Sequence, residues 1–163
     1  MYDEAIQWLE AANVLTESFP PHSEAAALLE TLAFEVLLKA ACVASHRPPK
    51  KTHDYVYLWG TLPESAQQQI LAEAEARMQS HADYSQLSSI LTDYQFVFEE
   101  ARYYYQFYED VTLKEQHRIG TEWVESGAPH GSARVRYHPE ELEGLIYGLR
   151  KFLDARLDGT ITP

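Results

Sequence analysis

Residues 24–45 limit most tightly what this chain can become. Leu28, Leu29, Leu32, Phe34, Val36, Leu37, Leu38, Ala40 and Val43 cover most of the circumference of one helix. A helix that apolar has to be surrounded, in the middle of a bundle or at an interface. The other segments must therefore offer faces to pack around it. Residues 2–19 do so with Ala5, Trp8, Leu9, Ala12, Leu15 and Phe19 on a single helical stripe. Pro20-Pro21 stops that helix, and Ser23 is placed to cap the central one, with Glu24 at its positive end. From Ser85 to Tyr108 the residues Leu87, Ile90, Leu91, Tyr94, Val97, Phe98, Ala101, Tyr105 and Tyr108 predict a long helix. Pro139 opens the last helix, with Glu140 and Glu141 in its first turn and Leu142, Leu145, Ile146, Leu149, Leu153 and Leu157 as its core stripe.

The connections are punctuated by proline and glycine. Residues 46–52 (HRPPKKT) cannot be helical through Pro48-Pro49. A short element over 53–59 is expected to end at Gly60, and Pro63 to be the first residue of a polar helix reaching about Ser80, edged by Ile70, Leu71, Ala74 and Met78. Residues 114–138 gather Gly120, Gly127, Pro129 and Gly131 between Glu122-Trp123-Val124 and Ala133-Arg134-Val135-Arg136-Tyr137. That pattern predicts a small hairpin or a mobile loop. The expected fold is all-α: a single domain over 1–163, an up-and-down bundle of about five to six helices, with an irregular or hairpin insertion at 114–138.

Charge narrows the partners. Thirteen Lys+Arg against twenty-five Asp+Glu give −12, and residues 1–100 carry fifteen acids but five bases. Such a chain repels phosphate backbones and anionic membranes at long range, so any nucleic-acid site has to be a local basic patch. No apolar run approaches the roughly 18–20 residues of a membrane span. The start at Tyr2, Asp3 and Glu4 does not read as a secretory leader. The lone Cys42 excludes an internal disulfide, and the reducing cytosol is the expected compartment.

No Gly-rich phosphate loop, G-x-S-x-G, H-E-x-x-H or Glu-x-x-His pattern is present, so no metal site and no cofactor is expected. Cys42 reads as a small buried hydrophobe. Three constellations remain. Glu35 and Lys39 form an i,i+4 pair inside the most apolar helix, readable as a buried salt bridge or as Lys39 aimed at an anionic ligand. Arg47-x5-His53, with Lys50 and Lys51 between and Asp54 after, pairs a phosphate clamp with a proton-transfer group, or is a solvated loop whose His53 or Asp54 caps a helix. The aromatic block from Tyr94 to Tyr108, with Arg102 inside it, has too many rings for one core stripe and predicts a homodimer interface. Arg134 and Arg136, with Lys114, Arg118 and Trp123, give the 114–138 insertion a ligand-gripping composition.

Leu32 to Ala40 (LAFEVLLKA), a proline-containing break, Thr52-His53-Asp54-Tyr55 through Leu58, and Leu62-Pro63 together resemble the HEPN domain (higher eukaryotes and prokaryotes nucleotide-binding). Residues 98–103 (FEEARY) are similar to an aromatic–arginine helix of HEPN-like bundles. The resemblance spans roughly residues 1–110 and the last helix. It implies a bundle that dimerises and acts in RNA processing, toxin–antitoxin or defence systems, or a non-catalytic relative of these. Catalytic members are similar in placing Arg-x4-6-His, with a polar residue after the Arg, at the dimer groove, where RNA is cleaved without metal. Here positions 107–109 after Arg102 are Phe, Tyr and Glu, and the pair with the allowed spacing, Arg47 and His53, has Pro48 after the Arg. The resemblance thus implies a non-catalytic module that binds RNA, a nucleotide or a protein partner. The alternatives are a metal-independent endoribonuclease using Arg47 and His53, and a subunit that only assembles. Ligand-contact candidates are Lys39, Lys50, Lys51, Asp54, Arg102, Arg134 and Arg136. His53 itself is expected to be chiefly structural, hydrogen-bonded at the start of its short helix.

Overall fold

The computed structural model describes residues 1–18, 24–100, 103, 108–157 and 159. Among them all regular structure is helical: α1 (Tyr2–Ser18), α2 (Glu24–Ala44), α3 (Tyr55–Thr61), α4 (Glu64–Arg77), α5 (Leu87–Glu99), α6 (Leu113–Glu125) and α7 (Pro139–Leu157), with a 3-10 turn at His130–Ser132. The all-α bundle reading therefore holds, with slightly more helices than expected.

The apolar second segment does sit in the middle. α2 packs against α1, α3, α5 and α7, and Ala33, Phe34, Leu37, Leu38, Ala41 and Cys42 are wholly buried. Val43 turns outward and is exposed. α1 approaches through the small residues Ala5 and Ala12, with Trp8 and Leu9 half-buried beside them. The Tyr2 hydroxyl donates to Asp154 Oδ1 and ties the start of α1 to α7 (2.5 Å). α7 lies on α2 and α4 and contributes Leu142, Leu145, Leu149, Phe152 and Leu153 to the core. Leu157, expected in that stripe, is exposed one turn beyond the contact. Phe34 joins the layers, meeting the edges of Tyr55 and Tyr94 at 5.7 and 5.8 Å between ring centroids.

Local signals explain the boundaries. At the end of α2, His46 N–H donates to Val43 O (2.9 Å) and Arg47 N–H to Cys42 O (3.0 Å), with His46 at φ 56°. This paired 5→2 and 6→1 closure is the Schellman turn, here with a left-handed histidine where glycine is usual. It reverses the chain before Pro48-Pro49. Asp54 then caps α3, its Oδ1 accepting Tyr57 N–H (2.8 Å). Gly60 does not end α3 as expected; the helix runs to Thr61, and Leu62 closes it with N–H to Trp59 O. Pro63 is the cap of α4 rather than its first residue. The Ser23 cap and the Pro20-Pro21 stop lie outside the described residues.

Two expectations are corrected. The long helix expected to reach Tyr108 ends at Glu99, with Glu100 as its C-cap; Arg102 and most of the aromatic run beyond it lie outside the described residues. Residues 113–125 are not a hairpin or loop but helix α6, and no strand occurs among the described residues. Thr112 and Glu115 form a capping box: Thr112 Oγ1 accepts Glu115 N–H (3.3 Å), and Glu115 Oε2 accepts Thr112 N–H (3.1 Å). A capping box opens a helix strongly enough to carry one interior glycine, which costs about 1 kcal/mol. α6 buries none of its residues; Leu113, Ile119, Trp123 and Val124 remain exposed.

The core also sets a limit on alkaline stability. The hydroxyls of Tyr55 and Tyr94 are held neutral well above the ordinary phenol range, chiefly by burial and then by nearby carboxylates, Glu35 beside Tyr55 and Glu141 beside Tyr94. The unfolded chain ionises both near pH 10, whereas the folded one does not. Above that pH the unfolded state binds fewer protons, so stability is intact below about pH 10 and falls above it. The two phenols together impose about 2.7 kcal/mol per pH unit once ionised in the unfolded chain. Melting curves taken up to about pH 11.5 should show this fall, with a further rise in phenolate absorbance at the unfolding step. A melting temperature that stays level there would mean these hydroxyls are not sealed from water.

Candidate functional site

Four elements converge on one buried carboxylate. Glu35 sits in the middle of α2 and is 3% exposed. One turn later Lys39 Nζ donates to Glu35 Oε1 at 2.6 Å. His53 comes from the segment between α2 and α3, which the Schellman turn and the two prolines fold back across α2, and its Nδ1 lies 3.1 and 3.0 Å from the two Glu35 oxygens. Phe98 of α5 supports the imidazole, with ring centroids 5.2 Å apart and planes tilted by 37°. Tyr55, at the start of α3, donates its hydroxyl to Thr31 O (3.3 Å). A carboxylate removed from water needs opposite charge and hydrogen bonds around it, and Lys39 and His53 supply them. Of the two readings for Lys39, the salt bridge is the one formed.

Arg47 is exposed and makes no hydrogen bond or ion pair with His53 among the described residues. Lys50 and Lys51 are exposed as well, with Lys50 Nζ 5.9 Å from the centroid of the Tyr57 ring. Asp54 is committed to the α3 cap, so the cap falls to Asp54, while His53 is bonded to Glu35. Arg102 lies outside the described residues. Arg134 places its guanidinium 5.2 Å from the Tyr108 ring centroid. Cys42 donates its thiol to Leu58 O (3.4 Å), and burial pushes that thiol up to about 11, which leaves it in the unreactive form.

A second cluster escaped the sequence reading. Asp93, on the inner side of α5 and 6% exposed, holds Arg136 Nη2 at 2.8 Å and His138 Nε2 at 2.9 Å. Beside it, Tyr94 donates to His138 O (2.7 Å) and Tyr137 donates to Glu30 Oε2 (2.5 Å). Arg136 is therefore a clamp that fastens the segment before α7 onto α5. The signal was present: one acid within the apolar run of 90–98 has to find a partner.

These helices define an up-and-down α bundle whose polar chemistry gathers where the 46–54 segment crosses α2 and α5. A family model described as HEPN domain matches residues 1–119, and the chain belongs to the HEPN family. The match takes in α1 to α5 and the first half of α6, whereas α7, which closes the core, lies beyond it. Neither the curated proteins nor the solved structures yield a significant match. Membership supports a nucleotide- or RNA-related role, and HEPN domains commonly dimerise and bind nucleic acid. Among the described residues no group of three His, Cys, Asp or Glu could hold a metal ion, and no helix is long and apolar enough to cross a membrane.

Proposed function

We propose that this chain is a non-catalytic, homodimeric HEPN module of the cytosol that binds RNA or a nucleotide, as part of an RNA-processing, toxin–antitoxin or defence system. The observation that carries the non-catalytic part is the engagement of His53. Its Nδ1 is held by Glu35 and its ring rests on Phe98, while among the described residues Arg47 makes no hydrogen bond or ion pair with it. Proton transfer to a phosphodiester needs the imidazole and a cationic clamp converging on one atom, and this geometry supports a positioned structural histidine instead. For the dimer, the support is that among the described residues of the aromatic run Tyr103 is exposed and Phe96 and Tyr108 are half-buried, whereas Tyr94 is withdrawn into the core.

The competing endoribonuclease reading has one observation in its favour. A carboxylate gripping one imidazole nitrogen is also how a general base is oriented. One set of assays separates the two. Wild type and His53→Ala are compared for RNA retention, cleavage of labelled RNA in the presence of a chelator, and melting. The expected outcome is RNA retained uncut by both, at twice the 18.7 kDa chain mass, with His53→Ala melting a few degrees lower. That drop corresponds to about 1 kcal/mol for a half-exposed hydrogen bond to a charged partner. Cleavage by wild type that a folded His53→Ala variant has lost would establish the enzyme reading.

A further inference from the structure

We propose that the segment joining α2 and α3, through Arg47, Lys50, Lys51 and the neighbouring Tyr57, is the surface on which single-stranded RNA docks. This rests on the RNA-related reading above and assigns it a place. The charge distribution is the first argument. Residues 1–100 hold five Lys and Arg, and four of them fall between Lys39 and Lys51. Lys39 is consumed by Glu35. The other three are exposed, and among the described residues none of them makes an ion pair, although the chain carries twenty-five acids. Arg77, Arg118 and Arg136 are each matched to an acid, while Lys114, Arg150, Lys151 and Arg156, also without an ion pair among the described residues, lie outside this segment on α6 and α7. Three adjacent cations left unmatched in a chain of −12 favour an anion from outside.

The second argument is what stands beside the charge. Tyr57 is 39% exposed on α3, with Lys50 at its ring, and the half-exposed imidazole of His53 lies on the same stretch. Cations next to an exposed aromatic suit a strand that offers phosphates and unstacked bases together. An acidic peptide offers the charge without the planar group. A duplex presents one phosphate charge per roughly 1.7 Å and would run past the patch onto the acidic remainder of the surface. A short single strand touches only the patch. The prolines Pro48-Pro49 and the Schellman turn hold the segment in place, so little order has to be gained on binding.

The test is a salt titration of labelled oligo(U) binding to the full chain, with a short RNA duplex and a poly-glutamate peptide as comparison ligands. Three phosphate contacts on a single strand predict a slope of log K against log salt of about −2, or about 20-fold weaker binding at fourfold higher salt. Arg47→Gln/Lys50→Gln/Lys51→Gln should flatten that slope, and Tyr57→Ala should weaken binding about tenfold. Arg150→Gln/Lys151→Gln on α7 should leave both unchanged. If oligo(U) binds but the triple variant matches wild type, the docking site lies elsewhere while the RNA reading stands. If wild type binds no RNA, both fail together. Preference for the duplex, or for the peptide in a manner the triple variant abolishes, overturns the proposal in favour of that ligand.

Discussion

Replacing Gly148 by alanine should cost this protein several degrees of melting temperature. A Cβ built there would lie 2.3 Å from the Ile70 carbonyl oxygen and 3.1 Å from its carbonyl carbon and Cγ2. Those first two atoms are backbone of α4, so no rotamer change relieves the contact; α4 and α7 have to move apart. Alanine would otherwise help, by about 1 kcal/mol of helix propensity. Overpacking a tight interface costs about 1–3 kcal/mol and sometimes more, and a backbone clash belongs at the upper end. The net expectation is a loss of about 2 kcal/mol, or roughly 4–8 °C for a chain of this length. Gly144→Ala is the internal comparison. Its Cβ would meet the Tyr84 hydroxyl at 1.9 Å and Met78 Cγ at 2.9 Å, both on side chains that can swing aside. It should lose much less. Equal melting of Gly148→Ala and wild type would show that α4 and α7 are not held this close.

The second large effect is expected at Lys39. Lys39→Met leaves the Glu35 carboxylate in the core with its nearest cation gone. Breaking a buried pair from one side costs about 3–5 kcal/mol, and the partial exposure of Lys39, together with the remaining His53 contact, places this case near 3. Removing both charges should cost less than removing one, because an apolar pair of similar volume packs without desolvation. Glu35→Leu/Lys39→Met is therefore expected to melt above Lys39→Met alone. A Lys39→Met protein as stable as wild type would mean that water reaches Glu35.

What could be read from residues alone followed the range of the interaction. The central position of α2 was legible because it needs only the apolar coverage of its own circumference. Glu35 with Lys39 was legible because partners four apart share a helix face. The Glu35–His53 contact crosses eighteen residues, and the Asp93–His138 contact forty-five. Both depend on how helices are laid against one another, which no local pattern encodes. The misreading of 113–125 has a different origin. Gly120 and the glycines after it favour a loop, whereas the Thr112–Glu115 box, which begins two residues before 114, opens a helix into the same segment. Val43 and Leu157 show the limit of stripe counting: each has helical spacing and each is exposed.

The position of α7 bears on how the chain is made. It follows the six other described α-helices in the chain, yet it covers faces of both α2 and α4 and receives the Tyr2 hydroxyl from the first turn of α1, across 152 residues of sequence. Domains begin folding from the N-terminus as the chain emerges, and contacts between distant residues form late. A nascent chain that has released α1 to α6 therefore still shows the apolar flank of its central helix to solvent. Closure has to wait until α7 itself has emerged, and during that wait a chaperone competes with α7 for the same flank.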